Sequence, residues 1–158
     1  MALALVSCKK NNPGPKLTGY FMSATINGQA WKVTQYGTAY FASYTNANMN
    51  MLSIMGSDTT KNSSLCRFIS ISFYTKPTIG TYYFNNAGDV LSVGGTMVTF
   101  TYYRGPERID KWSTGGHVDI TSINGNEITG DFTCTVVGDA NDTTTTTITN
   151  GKFDTVNE

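Results

Sequence analysis

The side chains that could carry acid–base or nucleophilic chemistry are few in this sequence. His117 is the single histidine, and it stands two residues before Asp119 on a segment whose alternation points both side chains to solvent. A catalytic dyad needs a nucleophile within hydrogen-bond reach of its base, and no Gly-x-Ser-x-Gly elbow supplies a serine. Asp119, Glu127 and Asp131 fall on one predicted hairpin, where they solvate its outer face rather than flank a cleft. We therefore predict a non-catalytic protein.

Metal-binding patterns are equally sparse. Zinc takes three or four His, Cys or carboxylate ligands, and one histidine with three widely spaced cysteines does not supply them. Asp139 and Asp142 offer oxygen ligands in one short loop, which lacks the glycine and the distal glutamate of an EF-hand. We expect neither a metal nor a cofactor.

Aromatic side chains are the feature most suited to ligand binding. Tyr82 and Tyr83 are adjacent, as are Tyr102 and Tyr103, so in a strand one ring of each pair points away from the core. Trp112 ends a charged segment that we interpret as a solvated connection. Exposed rings on a rigid sheet can stack on sugars or contact a protein partner. These five residues are the predicted ligand-binding set.

Composition limits the class of protein. The chain has 158 residues with 11 basic and 11 acidic side chains, and its net charge is zero. Binding nucleic acid through bulk charge needs a basic surface, so we expect no nucleic-acid partner. Charged residues make up only 14% of the chain, against about 25% in an average soluble domain. The length predicts one domain with a sizeable core.

The periodicity of the chain is that of β-structure. Short alternating or apolar runs separated by Gly, Asn, Asp and Pro predict ten strands at 20–26, 30–34, 37–43, 50–56, 66–74, 80–84, 96–103, 117–123, 127–137 and 145–153. Asn27-Gly28 and Asn124-Gly125 are typical of tight hairpin turns. We interpret 104–112 as a connection, and we place Trp31 in the core. The fold class is all-β, an antiparallel β-sandwich, with a closed lipocalin-like barrel as the alternative.

The same alternation bears on two of the three cysteines. Cys134 shares an apolar face with Phe132 and Val136, whereas Cys66 lies opposite the face that carries Ile69. A bridge between Cys66 and Cys134 would need a bulge that shifts the register. Buried free thiols are therefore favoured, and a disulfide, which an exported compartment permits, stays open.

The start of the chain carries an export address. Leu5-Val6-Ser7-Cys8 resembles a bacterial lipobox, which implies cleavage before Cys8 and attachment of acyl chains such as palmitate to its thiol. Residues 1–7 are then the remnant of a signal peptide, 8–18 an acylated flexible tether, and 19–158 the single domain. A working signal has about 7–15 apolar residues after a basic segment, so we expect the genuine signal to begin upstream. The lipid is the predicted contact with the membrane.

Three further motifs resemble those of a family of small Bacteroidetes lipoproteins of unknown function. They are Ile26-Asn27-Gly28-Gln29-Ala30-Trp31, Gly80-Thr81-Tyr82, and Ile148-Thr149-Asn150-Gly151-Lys152-Phe153, which follow the family's INGxxW, GTY and ITNGxF order. The resemblance implies an all-β lipoprotein domain and no particular chemistry. Surface-exported members carry acidic residues after the acylated cysteine, whereas Lys9 and Lys10 follow it here. We therefore expect attachment to the outer membrane facing the periplasm, with the cell surface as the alternative.

Those bacteria also attach sugars at a short Asp-Thr/Ser-aliphatic-or-Thr pattern. Thr59, Thr143 and Thr155 match it, and we place all three in loops or the C-terminal tail, where a glycan is accommodated.

Three functions fit this sequence. The first is a lipid-anchored envelope domain that binds a glycan or another envelope component, which predicts exposed Tyr or Trp rings on one face. The second is an interaction or scaffold subunit of an outer-membrane assembly, which predicts a flat apolar patch. The third is a carrier of small lipophiles, which predicts a closed barrel with a pocket of about 300–1,000 Å³.

Overall fold

A computed structural model describes residues 21–33, 39–46, 49–58, 67–84, 95–125, 127–138 and 142–156. Over these ranges the chain forms ten β-strands: β1 (Phe21–Ile26), β2 (Gln29–Lys32), β3 (Ala39–Asn46), β4 (Met49–Asp58), β5 (Arg67–Phe73), β6 (Gly80–Tyr83), β7 (Thr96–Arg104), β8 (Glu107–Asn124), β9 (Glu127–Gly138) and β10 (Thr145–Val156). In this part of the chain no helix is long and apolar enough to cross a lipid bilayer.

The ten strands form one sheet whose strand pairs are antiparallel. Its order is β2-β1-β10-β9-β8-β7-β5-β4-β3, and β6 pairs with the C-terminal half of β8. The sheet curls into a half-barrel, and its edge strand β3 comes into contact with β10. The predicted all-β antiparallel fold is confirmed. Because a single sheet curls over one core, its halves face each other as in a sandwich while its curvature is that of a barrel.

Both Asn-Gly pairs lie at hairpins, as predicted. Asn27 and Gly28 have φ values of 48° and 80° and form the two-residue turn between β1 and β2, where positive φ matches the twist of the flanking strands. At the other pair, Asn124 still faces Glu127 in the ladder, and the turn begins at Gly125, whose φ is 61°.

The interpretation of 104–112 as a solvated connection is wrong. β7 and β8 form a tight hairpin in which Arg104 faces Glu107, and Gly105 with φ of 61° begins the turn. Trp112 therefore lies within β8, half-buried, between Thr99 of β7 and Val137 of β9. The alternation in this strand was hidden because Lys111, an inward-facing residue, is charged.

The core fills the concave side of the curled sheet. Its members include Met22 and Trp31 from one half and Ile54, Ile69 and Val98 from the other. Gly56 on β4 makes room for this contact, because a Cβ there would lie 2.5 Å from Met22 Sδ and 3.2 Å from the Trp31 ring. Trp31 is 2% exposed, which confirms its predicted place in the core.

Two glycines and two phenylalanines interlock on β9 and β10. Gly130 faces Phe153, and Gly151 faces Phe132. A Cβ at either glycine would lie 2.5 Å from the ring opposite, so each ring fills the space that the facing glycine leaves. The ring centroids are 6.3 Å apart. This reciprocal packing gives a physical reason for the Gly-x-Phe step in both strands.

Candidate functional site

The predicted aromatic residues are divided between the two ends of the half-barrel. Tyr82 faces Val118 on β8, whereas Tyr102 faces Ile109. The nine positions between Val118 and Ile109 correspond to roughly 30 Å along the strand. We call the end that holds Phe73, Tyr82, Phe132 and Phe153 the packed end, and the end that holds Tyr102, Lys111, Asp142 and Thr144 the mouth end.

At the packed end, Tyr82 and Tyr83 point to opposite sides of β6. Tyr82 turns inward, and its ring meets Phe73 edge-on at 5.3 Å, while its hydroxyl donates to Thr78 O at 3.0 Å. Tyr83 turns outward, is 74% exposed and lies 6.1 Å from the ring of His117. One ring of the pair is exposed, as adjacency predicts.

The mouth end contains a cavity of about 450 Å³, which we call the mouth cavity. Its walls come from β1, β2, β5, β7, β8, and β10 with the segment that leads into it. The residues that line it are Ile26, Asn27, Gln29, Arg67, Phe100, Tyr102, Tyr103, Lys111, Thr144 and Thr146. Of the five predicted binding residues, only Tyr102 and Tyr103 line this cavity.

An aromatic pair forms part of its wall. Phe100 and Tyr102 stand two positions apart on the inner face of β7. Their ring centroids lie 5.7 Å apart, and the interplanar angle is 29°. The Lys111 ammonium lies 5.8 Å from the centroid of the Tyr102 ring, which is within the range of a cation–π contact. The cavity thus combines an apolar aromatic surface with polar groups beside it.

Lys111 is the most unusual residue of the mouth end, because it is 1% exposed. Its Nζ donates to the carbonyl and the hydroxyl of Thr144, both at 2.7 Å, and lies 3.4 Å from Asp142 Oδ2. A buried ammonium is tolerated when acceptors and an opposite charge surround it. Three acceptors match its three N–H donors.

Asp142 is the carboxylate at the centre of this network. Oδ2 accepts a hydrogen bond from the Tyr102 hydroxyl and lies 3.4 Å from Arg104 Nη2. Oδ1 accepts from the Thr144 hydroxyl and, at 3.1 Å, from the Thr144 amide. These donors, the Thr144 hydroxyl first and the Tyr102 hydroxyl next, hold the pKa of Asp142 far below its ordinary value, and the charge of Lys111 adds to this. Burial, and then the bond to Asp142, raise the pKa of Tyr102.

A second ion pair stands at the wall of the mouth cavity. Arg67 faces Tyr102 across β5 and β7, and its Nη2 donates to Asp58 Oδ2 at 2.8 Å. Asp58 is buried, whereas the Arg67 side chain is 29% exposed. Asp58 is thus buried beside a partly exposed arginine, and Arg67 is the member of the pair that lines the cavity.

His117 and the hairpin carboxylates lie on the outer face of the sheet, as the alternation predicts. His117 Nε2 is 3.5 Å from Asp119 Oδ2, and Asp119 also accepts a 2.5 Å bond from the Thr81 hydroxyl. Asp131 faces Asp119 in the ladder and pairs with Lys152 at 2.9 Å. Each carboxylate has a neighbouring donor on its own sheet.

The predicted modification sites differ in what the structure describes of them. Cys8, Thr59 and Cys66 lie outside the described residues. Cys134 is a buried free thiol on the core face, and burial raises its pKa to about 12. Thr143 is exposed just before β10.

Thr155 is a correction. The sequence predicts an accessible tail here, but β10 continues to Val156, so Thr155 faces Ile128 inside the sheet and is 0% exposed. Its hydroxyl lies 3.4 Å from the Ile128 carbonyl. A glycan has no room at this position in the folded domain.

Comparison with known proteins identifies no relatives: no family model matches the chain, and neither a curated protein nor a solved structure is significantly similar to it. The mouth end is the described part of the sheet that combines a cavity with buried charged groups. Sequence reasoning found Tyr102 and Tyr103 there, considered Asp142 only as an oxygen ligand in a loop, and missed Arg67 and Lys111. The inward parity of Lys111 with Ile109 was the signal that could have revealed them.

Proposed function

We propose that this chain is a non-catalytic, lipid-anchored protein of the bacterial outer membrane. Its domain binds one end of a glycan chain in the mouth cavity. The observation that carries the proposal is the cavity itself. Its volume of about 450 Å³ lies in the range of about 300–1,000 Å³ that is typical of sites for small ligands. Its lining joins an aromatic pair to several hydrogen-bonding side chains.

The lining has the chemistry that a sugar requires. A pyranose has apolar C–H faces that pack on aromatic rings, and the half-buried Tyr102 ring, which packs on the buried Phe100, supplies such a surface. Its hydroxyls need both donors and acceptors, which the Asn27 NH2 group, the Gln29 amide and the Thr146 hydroxyl provide. Asn27 Oδ1 already accepts a hydrogen bond from the Thr147 amide at 2.9 Å. Asn27 and Gln29 are exposed and so stand where a ligand enters.

The ionised groups of the mouth end support binding rather than catalysis. Lys111 is surrounded by acceptors, and Asp142 by donors, all from the chain itself. A general acid or base must exchange a proton with a substrate, whereas the low pKa of Asp142 keeps it ionised. These charges hold the Tyr102 ring and the Thr144 backbone in place.

The lipid anchor is the second part of the proposal. Thirteen positions separate Cys8 from Phe21, where β1 begins, and such a chain reaches at most about 45 Å. The domain can therefore stand clear of the lipid surface that anchors it. Growth of the bacterium with an alkyne analogue of palmitate should label the protein, and Cys8→Ser should abolish the label. Equal labelling of both forms would contradict the anchor.

A thermal-shift screen tests the binding function. The full chain carrying Cys8→Ser would be mixed with neutral and acidic saccharides, peptidoglycan fragments and fatty acids. A ligand at a hundred times its Kd adds about 2.7 kcal/mol to stability, which raises the Tm of a domain of this size by several degrees. We expect saccharides to raise the Tm.

Two matched variants locate the site. Phe100→Leu keeps most of the core volume but removes a ring from the cavity, so it should reduce the shift. Tyr83→Ala removes an exposed ring at the packed end and should leave the shift unchanged. A response to fatty acids alone would favour the lipophile carrier. Silence across the panel would overturn glycan binding and favour the scaffold role.

A further inference from the structure

The charged side chains of the mouth cavity indicate which class of glycan it would bind. Arg67 and Lys111 are among its lining residues, and none of the described residues that line it is a carboxylate. The carboxylates nearby, Asp58 and Asp142, are buried and paired with these cations. Lys111 is itself buried, so the charged side chain that a ligand in the cavity can reach is the partly exposed Arg67.

The two cations are not equivalent. The chain itself places three acceptor oxygens around the three N–H donors of Lys111. Lys111 therefore has no N–H donor left for a ligand. Arg67 has five N–H donors, and among the described residues the bond from Nη2 to Asp58 is the one it forms. Its Nε and Nη1 groups can therefore donate to a ligand, and its partial exposure leaves them within reach.

The position of Arg67 relative to the aromatic pair indicates what it would bind. Arg67 is the direct cross-strand neighbour of Tyr102, whose ring packs on Phe100. A ring stacked on this wall would place a substituent beside the guanidinium. A planar carboxylate matches the planar fork of an arginine and makes charge-assisted hydrogen bonds with it.

We propose that the mouth cavity binds a uronic acid, with the sugar ring on the Phe100–Tyr102 wall and its carboxylate on Arg67. This inference rests on the proposed glycan-binding function and specifies its ligand. Asn27 and Gln29 then serve the remaining hydroxyls from the rim.

The test compares sugars that differ only in charge. Isothermal titration of the full chain carrying Cys8→Ser would use D-galacturonic and D-glucuronic acid, their methyl esters, and the 6-phosphates of galactose and glucose. We expect each acid to bind at least ten times more tightly than its ester, with a preference that weakens as salt rises. The phosphates should bind more weakly than the acids.

Variants assign the preference to Arg67. Arg67→Gln should reduce the difference between acid and ester to within twofold. Because this leaves Asp58 buried without its cation, the double variant Arg67→Gln/Asp58→Asn removes both charges together and should show the same loss. Arg108→Gln is the control, since Arg108 pairs with Asp110 on the surface and does not line the cavity. It should keep the full preference.

Three outcomes would overturn the inference, and they are distinguishable. Equal binding of acid and ester shows a sugar site that ignores charge, which leaves the proposed function standing. Tighter binding of the phosphates shows a different anion. Binding of neither acid nor ester overturns the uronic acid and the glycan site together.

Discussion

The two ends of the half-barrel differ in what fills their interior. At the packed end, apolar rings fill the interior, and glycines on the facing strand make room for them. Gly130, for example, leaves the space that the Phe153 ring fills. At the mouth end, the interior holds a buried lysine and a carboxylate beside open space. Apolar packing needs only shape, whereas buried charge needs a partner for every donor.

This difference bears on function. A charged network is weak evidence for stability, because well-packed apolar residues often replace it without loss. Departures from consistent packing are expected at functional sites. At the mouth end, buried charged residues replace the apolar packing of the rest of the interior, and they lie beside a cavity.

The largest expected effect lies at the packed end. Phe153→Ala should lower the free energy of unfolding by about 3–5 kcal/mol, because it removes a buried ring and leaves a cavity. Urea denaturation measures the loss. Binding at the mouth end should be unchanged under conditions in which the variant is folded, and a large loss of affinity would show that the two ends are not separate.

A double-mutant cycle tests the glycine–ring packing directly. Gly151→Ala should cost about 1–3 kcal/mol through overpacking, since the three atoms nearest to its Cβ all belong to the Phe132 ring. In a Phe132→Ala background the ring is absent, so the same change should cost about 0.5 kcal/mol or less. That is about the deviation from additivity found for sites that do not interact. Equal costs in both backgrounds would refute the reciprocal packing.

The mouth network should respond to the loss of one charge more than to the loss of both. Lys111→Met leaves the Thr144 carbonyl and Asp142 without their ammonium, and should cost about 1–3 kcal/mol. Lys111→Met/Asp142→Asn removes the uncompensated carboxylate as well, so it should be more stable than the single variant. Denaturation of the two side by side decides it, and a less stable double variant would contradict the network.

The pH dependence of stability should identify Asp142. Its pKa is lowered on folding, from an unfolded value of about 3.9. Its contribution is therefore fully present above about pH 4 and is lost as the pH falls towards the folded-state pKa. Asp142→Asn should flatten the acid side of the stability profile measured in urea from pH 7 to pH 2. An unchanged acid slope would exclude this assignment.

The smallest effect concerns Cys134. With a pKa raised to about 12, its thiolate fraction at pH 8 is about one in ten thousand, and the thiolate is the reactive form. In a chain carrying Cys8→Ser and Cys66→Ser, a maleimide should label Cys134 only after denaturation. Rapid labelling of the folded protein would show that this part of the core opens.

Much of the fold could be predicted because its signals are local. Alternation located the strands, and Asn-Gly located two hairpins. Thr155 was misplaced because Asp154-Thr155-Val156 resembles a polar tail, although it extends a ladder whose partner is β9. Tyr102 was among the predicted binding residues because adjacency exposes one of two neighbouring rings, whereas the structure packs its ring against the buried Phe100.

The mouth network could not be predicted, for a physical reason. Tyr102 and Asp142 are 40 positions apart, and Asp142 lies in a threonine-rich run that looks like a surface loop. A buried lysine interrupts the apolar pattern of its own strand, so β8 was predicted to begin ten residues too late. Such contacts depend on how the sheet curls, which local pattern does not determine.

The central claim is that the mouth end, and not the packed end, receives the ligand. NMR titration of the full chain carrying Cys8→Ser with digalacturonic acid tests it most directly, with neutral cellobiose alongside. We predict chemical-shift changes at the amides of Arg67, Phe100, Tyr102 and Thr146, and constant shifts at Tyr82, Phe132 and Phe153. Changes centred on Tyr83 and His117, or none at either end, would contradict the account.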